Sequence, residues 1–406
     1  MNDRLVITGM GAVTPIGIGM DEYWTNLIGG KCGIDYIESI DTSQLPVRIA
    51  GEVKNFDPVT YMPRKKSREM DRFMQMTFAA ATEAIEDSGA DVASNRVGLT
   101  IGTSLNGFGT ITETERTYNA SSLKKVSPRF LAKSLGNICA SHIAIEYGIK
   151  GPSMTLNTAC ASGGDSISLS AMMLRAGMAD VMIASGGEAA VNPILIQSLS
   201  AAQALSPTDN PKSACRPFDI NRDGFVIGEG AGSIVIETES HALKRGAHIY
   251  GVLAGWANNT DDYHPVTPKP DGEGETACMR QALEIAGIKP QDIGYINAHG
   301  TATIKGDIVE SESVRNVFGD KVRVSSTKAS TGHMMGAGGV LEVIGCVKAI
   351  ETKILPYTLN SENHDPACAI NVVTGYEEFK ELKYAMSNAF GFGGQNSSII
   401  VGEYEG

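Results

Sequence analysis

The chain is poor in several things, and each scarcity excludes something. No apolar run approaches the roughly 20 residues needed to span a bilayer, so no helical membrane protein is expected. The seven cysteines are an odd number with no CxxC pair and no Cys/His grouping at metal-ligand spacing, so neither a disulfide framework nor a metal site is expected. Free thiols suit a reducing, cytoplasmic compartment. The opening stretch MNDRLVITGMGAV lacks the charged segment, long apolar core and cleavage site of a secretory leader, and export is not expected. Positive charge is scarce as well: 34 Lys and Arg against 46 Asp and Glu leave a net charge of −12. General nucleic-acid binding is therefore disfavoured, because a phosphate backbone needs a positive face.

What is present is enough apolar material, 42% of 406 residues, for a sizeable core. Strand-like runs at Leu5–Thr8, Val97–Ile101, Met154–Leu156, Asp180–Ala184 and Ser233–Glu237 alternate with amphipathic helical stretches. That alternation predicts an α/β fold with a buried parallel sheet. The plan then repeats. A helix over Phe73–Ser88 closes on Gly89 before RVGLTIGTS, and one over Glu275–Ala286 closes on Gly287 before IGYINAHGTA. In the same order, SMTLNTACASG answers to VRVSSTKASTG, AGSIVIE to SSIIVGE, and RLVITGMGAV to IYGVLAGWAN. Two halves, residues 1–250 and 251–406, would pack as one pseudo-symmetric unit. Loops after corresponding strands would converge where α/β proteins place their chemistry.

Four loops carry polar groups to such places. TLNTACASGGDS puts Cys160 between a strand end and a small-residue helical run, Ala161–Ala176. The dipoles at a helix N-terminus would lower its pKa, and a Gly163–Gly164 turn would let backbone approach a substrate. Cys32, Cys139, Cys215, Cys278, Cys346 and Cys368 lack that setting and read as buried, inert thiols. His299 follows the run Gly294–Asn297, beside Gly300 and the hydroxyls of Thr301 and Thr303. His333 follows Val322–Ser325, with Lys328 five residues before it, in the counterpart of the cysteine loop. His142, His241, His248 and His364 read as packing or surface groups. In NAFGFGGQN, Gly391, Gly393 and Gly394 surround Phe392, either as a structural turn or as a gate moving a ring over an apolar tunnel.

TACASG, NAHGTAT with KGD, STKASTGHMMGAGG and FGFGGQN, in this order and spacing, resemble the β-ketoacyl-acyl-carrier-protein synthases, closest to the elongating synthase II type. The likeness runs from VITGMGAVTPIG through RPFDINRDGFVIGEGAG to the final strand. It implies a thiolase-like fold, a duplicated five-layered αβαβα arrangement, with a first half carrying the nucleophile and a second carrying two histidines. It implies that Cys160 accepts an acyl chain as a thioester from a carrier protein's phosphopantetheine arm, with no permanently bound cofactor and no metal. His299 and His333 would then stabilise the enolate left when malonyl-carrier protein loses CO₂. The backbone N–H groups of Cys160 and Phe392 would form the oxyanion hole. Lys328 would support the histidines, with Asp307 and Glu310 as its expected ionic partners, and Glu342 would be a buried structural carboxylate. Thr301 and Thr303 would bind the pantetheine arm, and Phe392, flanked by Gly391 and Gly393, would gate the acyl pocket.

The Cys–His–His set separates neighbours: a thiolase would have a second catalytic cysteine, a type III initiating synthase an Asn for one histidine, and a chain-length partner no nucleophile. Gln395, Leu199 and Gln203 depart from the synthase II pattern at the gate, the acyl pocket and a carrier-docking position. The basic residues Arg64, Lys65, Lys66 and Arg68, and Lys124 and Lys125, match regions where an acidic acyl carrier protein would dock. A homodimer active in type II fatty-acid elongation is the first expectation. A ketosynthase of a specialised type II polyketide or polyene pathway, paired with a chain-length factor, is the alternative, and an idle scaffold subunit the third.

Overall fold

The expected apolar runs are strands, and those inside the sheet are buried along nearly their whole length because helices cover both faces. The computed structural model describes residues 3–406. Its main sheet contains β1 (Leu5–Thr14), β2 (Val97–Gly102), β3 (Ser153–Leu156), β4 (Val181–Ala189), β5 (Glu229–Thr238), β6 (Gly251–Thr260), β7 (Ile293–Asn297), β8 (Arg323–Ser325), β9 (Asn371–Val372), β10 (Tyr384–Gly391) and β11 (Gln395–Gly402). Their spatial order is β9-β8-β7-β10-β11-β6-β1-β5-β4-β2-β3. At the centre β6 and β1 share only the pairs Val6–Val252 and Ile7–Gly251, so the sheet falls into two leaves.

Outward from that seam the leaves read β1-β5-β4-β2-β3 and β6-β11-β10-β7-β8, and their strand directions match pair for pair. The first two junctions are antiparallel in each leaf, and the next two are parallel. Every sequence pair quoted above occupies the same rank in its leaf. The expected parallel pairing holds at the two outer junctions of each leaf, while the two inner ones are antiparallel, so each leaf is mixed. A hairpin such as β10–β11, joined only by Phe392–Gly394, can return only antiparallel, whereas parallel neighbours need a long crossover.

Six helices complete the layers: α1 (Arg72–Ser88), α2 (Asn137–Tyr147), α3 (Ser162–Arg175), α4 (Glu273–Ala286), α5 (Ile304–Phe318) and α6 (Gly338–Thr352). Asp71 caps α1 through the Phe73 N–H, and Gly89 and Gly287 end α1 and α4 in the left-handed conformation, as their positions in the sequence suggest. α1 and α2 lie outside the first leaf, and α4 and α5 outside the second. α3 and α6 are sandwiched between the leaves, each touching strands of both, which gives five αβαβα layers. α6 is buried over nearly its whole length and joins α3, β1 and β5 in one large apolar cluster.

The two inner helices meet through glycine. A Cβ on Gly163 would stand 2.7 Å from the Gly336 carbonyl, and one on Gly339 would stand 2.6 Å from the Gly164 amide. Gly163 and Gly164 lie inside α3, so their expected role as a substrate-facing turn is corrected: the missing side chains let one helix N-terminus approach the other.

Backbone cannot yield as a flexible side chain can, so Gly339→Ala is expected to cost about 1–3 kcal/mol in urea unfolding. Gly375→Ala, where a Cβ meets nothing within 4 Å, should be nearly neutral. Equal midpoints for the two variants would contradict this account of the helix contact.

Candidate active site

The chain turns sharply after β3. Ala159 takes a left-handed φ of 50°, and a single 3₁₀ turn, Ala159–Ala161, lifts Cys160 to the start of α3. Hydrogen bonds hold the turn: the Ser104 hydroxyl donates to the Ala159 carbonyl, the Thr158 amide to Ser162 Oγ at 2.8 Å, and the Thr158 hydroxyl to Asp165 at 2.6 Å. The corresponding loop of the second half, after β8, carries Lys328 in the short helix Lys328–Thr331 and then His333. Because α3 and α6 touch at their N-termini, these loops meet, and His333 Nε2 lies 3.0 Å from Cys160 Sγ.

His299 arrives from the end of β7. Its loop is held by Glu310 of α5, whose carboxylate accepts the amides of His299 and Gly300, each at 2.7 Å. Asp307 does the same one turn earlier, accepting from Ala302 at 3.1 Å and from Phe218 at 2.8 Å. The His299 and His333 rings stand edge to face with centroids 5.3 Å apart. One ring nitrogen of each and Cys160 Sγ all lie within 4.8 Å of one another. Phe225 packs its edge on His333, and Phe390 leans on His299.

Lys328 and Glu342 form an ion pair at 2.5 Å, each 2% exposed. This corrects the expectation that Asp307 and Glu310 pair with Lys328. Those carboxylates are committed to backbone amides, whereas Glu342 projects from the first turns of α6 toward the lysine. The ammonium still acts at a distance. Burial first, and the Lys328 charge second, hold both histidines well below their ordinary value, so each ring is neutral near pH 7. Burial raises Glu310 to about 7 even against the two amides it accepts, and Asp307 stands at about 6 for similar reasons.

The thiol departs from expectation. Burial pushes Cys160 up to about 11, and Lys328 and the Phe392 and Cys160 amides recover only part of that rise. The N-terminal position on α3 does not leave a resting thiolate, because taking a charge out of water costs more than the end of one helix returns. The two amides that crowd the sulfur are those expected of an oxyanion hole. Neither histidine's Nδ1 has a hydrogen-bond partner among the described residues. A metal-bound histidine ordinarily keeps such a partner, so the Cys–His–His set, although close enough to hold a soft divalent ion, fits that use poorly.

These groups open on a cavity of about 620 Å³. Thr301 and Thr303, with hydroxyls 3.1 Å apart, line its mouth with Val266, Pro268 and Lys305. Phe392 sits at the tip of the β10–β11 hairpin, 40% exposed, with the Gly393 amide donating to the Pro265 carbonyl and both following glycines at positive φ. Gly391 passes so near Cys160 that a Cβ there would stand 3.1 Å from the Cys160 amide. Gln395 begins β11, Gln203 lines the cavity, and Leu199 packs with Cys160, Ile196 and Leu205 in an apolar cluster behind the sulfur. Of the basic residues, Lys66 is engaged internally, paired with Glu146 at 2.6 Å and placed over the Phe78 ring. Lys124 donates to the Tyr118 and Asn119 carbonyls. Arg64, Lys65, Arg68 and Lys125 are exposed.

Sequence reading overlooked Phe225, Phe390, Glu188 and Glu275. The two phenylalanines lay within quoted motifs. Glu188 is fully buried and accepts the Ser104, Leu105 and Gly336 amides, which ties the loop after β2 to the turn before α6. Nothing in its local pattern, SGGEAA, announces that.

Residues 2–242 match the family described as beta-ketoacyl synthase, N-terminal domain, and residues 250–362 its C-terminal domain. The chain is 40% identical to the 3-oxoacyl-[acyl-carrier-protein] synthase 2 of Staphylococcus aureus (strain COL), over 100% of this chain and 99% of that one. Two solved structures superpose over 100% of both chains. The ishigamide ketosynthase/chain length factor gives a TM-score of 0.92 at 31% identity. A ketosynthase bound to a hexaketide, in complex with its type II polyketide acyl-carrier protein, gives 0.91 at 29%.

Alkylation of Cys160 by iodoacetamide, followed by mass spectrometry of its own peptide, should rise steeply only toward pH 11. Lys328→Met should raise the thiol pKa further and slow alkylation at pH 8; faster alkylation would refute the electrostatic role of Lys328. Unfolding releases the histidines to their ordinary value of 6.5, where they bind protons the folded rings refuse. Their contribution to stability is therefore present above pH 6.5 and lost as pH falls below it.

Proposed function

The chain belongs to the beta-ketoacyl synthase family and is an acyltransferase of the condensing type, and from that premise we propose a residue-by-residue route for decarboxylative Claisen condensation in type II fatty-acid elongation. The observation that carries it is the convergence of Cys160 Sγ, His333 Nε2 and the His299 ring at the end of one cavity. In the first half-reaction Cys160 attacks the thioester of an acyl chain carried on the phosphopantetheine arm of an acyl carrier protein. Its high pKa requires that the thiol proton leave as the S–C bond forms. His333 Nε2 is placed to take that proton and return it to the departing pantetheine thiol. The Cys160 and Phe392 amides hold the developing oxyanion.

In the second half-reaction malonyl-carrier protein enters past Thr301 and Thr303, which hydrogen-bond its arm. Loss of CO₂ leaves an enolate, whose oxygen takes hydrogen bonds from His299 and His333. A neutral imidazole carries one N–H to donate, and His333 turns from acceptor to donor when its proton exchanges between Nδ1 and Nε2 through solvent in the interval between the two half-reactions. The enolate carbon attacks the acyl thioester, the C–C bond forms as the C–S bond breaks, and the released Cys160 thiolate takes up one proton from solvent, the single proton that the overall condensation consumes. Lys328, Glu342, Asp307 and Glu310 position the histidines. Phe392, on its glycine-flanked hairpin, gates the passage between acyl pocket and malonyl site. Residues 1–250 and 251–406 are the two halves in this reading, each supplying one side of the site.

Two copies would join along β3. This edge strand has a partner on one side only, and Met154 on it is 47% exposed, with Ile145 on neighbouring α2 at 79%. An unpaired apolar edge invites a second edge, and a homodimer is the first reading. A chain-length-factor-like chain on the same edge is the second, favoured by the likeness to the ishigamide ketosynthase/chain length factor. The carrier protein would dock through Arg64, Lys65, Arg68 and Lys125, in a cytoplasmic setting.

After incubation with acyl-carrier protein, wild type should carry an acyl adduct and Cys160→Ala none; an adduct on that variant would remove Cys160 as nucleophile. His299→Ala should retain loading while lowering malonyl decarboxylation by about 10²-fold or more, and equal loss of both steps would refute the division of labour. Light scattering should give twice the chain mass for the purified protein and a lower mass for Met154→Lys. Activity only with a copurified homologous chain would favour the heterodimer.

A further inference from the structure

One carboxyl in the cavity has no part in the chemistry above. Glu275, in the first turn of α4, is 3% exposed, lines the same cavity as Cys160 and His299, and has no hydrogen-bond partner for Oε2 among the described residues. Its neighbours are provided for. Asp261 accepts from the Asn396 side chain at 2.6 Å, and Glu310 accepts the His299 and Gly300 amides. Burial first, then the charge of Glu310, and least that of Asp261 raise Glu275 well above its ordinary value, against the Ser313 hydroxyl, which lowers it. Lys305, at the cavity mouth, has no carboxylate partner among the described residues but is exposed.

A buried, unpartnered carboxyl costs stability unless something supplies the missing hydrogen bond. The nearby Ser313 hydroxyl is engaged with the Gly272 carbonyl at 3.2 Å, so among the described residues no group hydrogen-bonds Oε2, and the cavity brings only substrate. Resting on the condensation reading, we propose that Glu275 is a specificity-determining residue whose carboxyl hydrogen-bonds an oxygen-bearing substituent on the α-carbon of the extender thioester. The side of the molecule decides which substrate it meets. The acyl chain on Cys160 faces the apolar cluster of Ile196, Leu199 and Leu205 from the first half. Glu275 belongs to the second half, with Phe390 and Glu310 around His299. The extender α-carbon must stand between the histidines and the acyl thioester for the C–C bond to form, so in this proposal a branch on that carbon is the part of the substrate that turns toward the second-half wall of the shared cavity. A hydroxyl there can both accept from and donate to a carboxylic acid. A methyl leaves the acid unpartnered.

The test offers carrier-bound malonyl thioesters bearing hydrogen, hydroxyl or methyl on the α-carbon and follows condensation with an acyl-loaded enzyme. Unsubstituted malonyl is the check on the reaction itself: no product from it overturns the condensation reading, and this proposal with it. Given that product, wild type should favour the hydroxyl over the methyl extender by about tenfold in kcat/KM, the size of one buried hydrogen bond. Glu275→Gln, which keeps a donor and an acceptor, should hold most of that ratio, and Glu275→Met should bring it to unity or below. A wild-type preference for methyl overturns the proposal whatever the variants do, and so does a hydroxyl-to-methyl ratio unchanged in a folded Glu275→Met.

Discussion

The bare contact between α3 and α6 is the constraint on which the rest depends. Helix axes ordinarily stand 8–10 Å apart because side chains lie between them. Here Gly163 and Gly164 face Gly336 and Gly339, and the helix starts come together at backbone distance. Each helix is preceded by a turn carrying one reactive group, so closing the helices closes Cys160 on His333. The same contact makes the inner layer thin enough for both leaves to pack on it. The Cys160–His333 contact and core packing are thus one condition, and a methyl group added for helix propensity would disturb both.

Enclosure then sets the chemistry. A solvated Cys–His pair can rest as thiolate and imidazolium. In this site burial holds the proton on sulfur and keeps both rings neutral, and the buried cation that acts on all three, Lys328, is matched by Glu342. The net result is a site without standing charge on its reacting groups. It suits a reaction whose charge appears only in passing, as a tetrahedral oxyanion and then as an enolate. In the proposed route the amides beside Cys160 and the imidazoles beside the cavity would act on those transient charges and cost no ionisation in between.

Much of this was legible before folding. Strands and their order could be read because the buried leaves demand near-continuous apolar runs, and helix ends because only glycine ends α1 and α4 comfortably at positive φ. The repeated order of those signals announced two like halves, and in space each pair of like strands holds the same rank. Strand direction was not legible, since apolar runs look alike in parallel and antiparallel pairs; the short β10–β11 connection was the available clue. Gly163–Gly164 misled for a related reason. Glycine marks close approach, but the pattern does not say what approaches.

Residue identity and order by themselves determined the candidate set. Cys160, His299, Lys328 and His333 each follow a strand and precede or open a helix, and that placement is local. What only the tertiary structure decided is how these groups behave. Burial reversed the direction expected for the thiol, Lys328 took Glu342 in place of Asp307 and Glu310, Lys66 turned inward to Glu146, and Glu275 came to face the cavity without a partner. Each depends on groups far apart in the chain. Desolvation and Coulomb interactions are properties of the space around a side chain, and that space exists only after the two halves have closed.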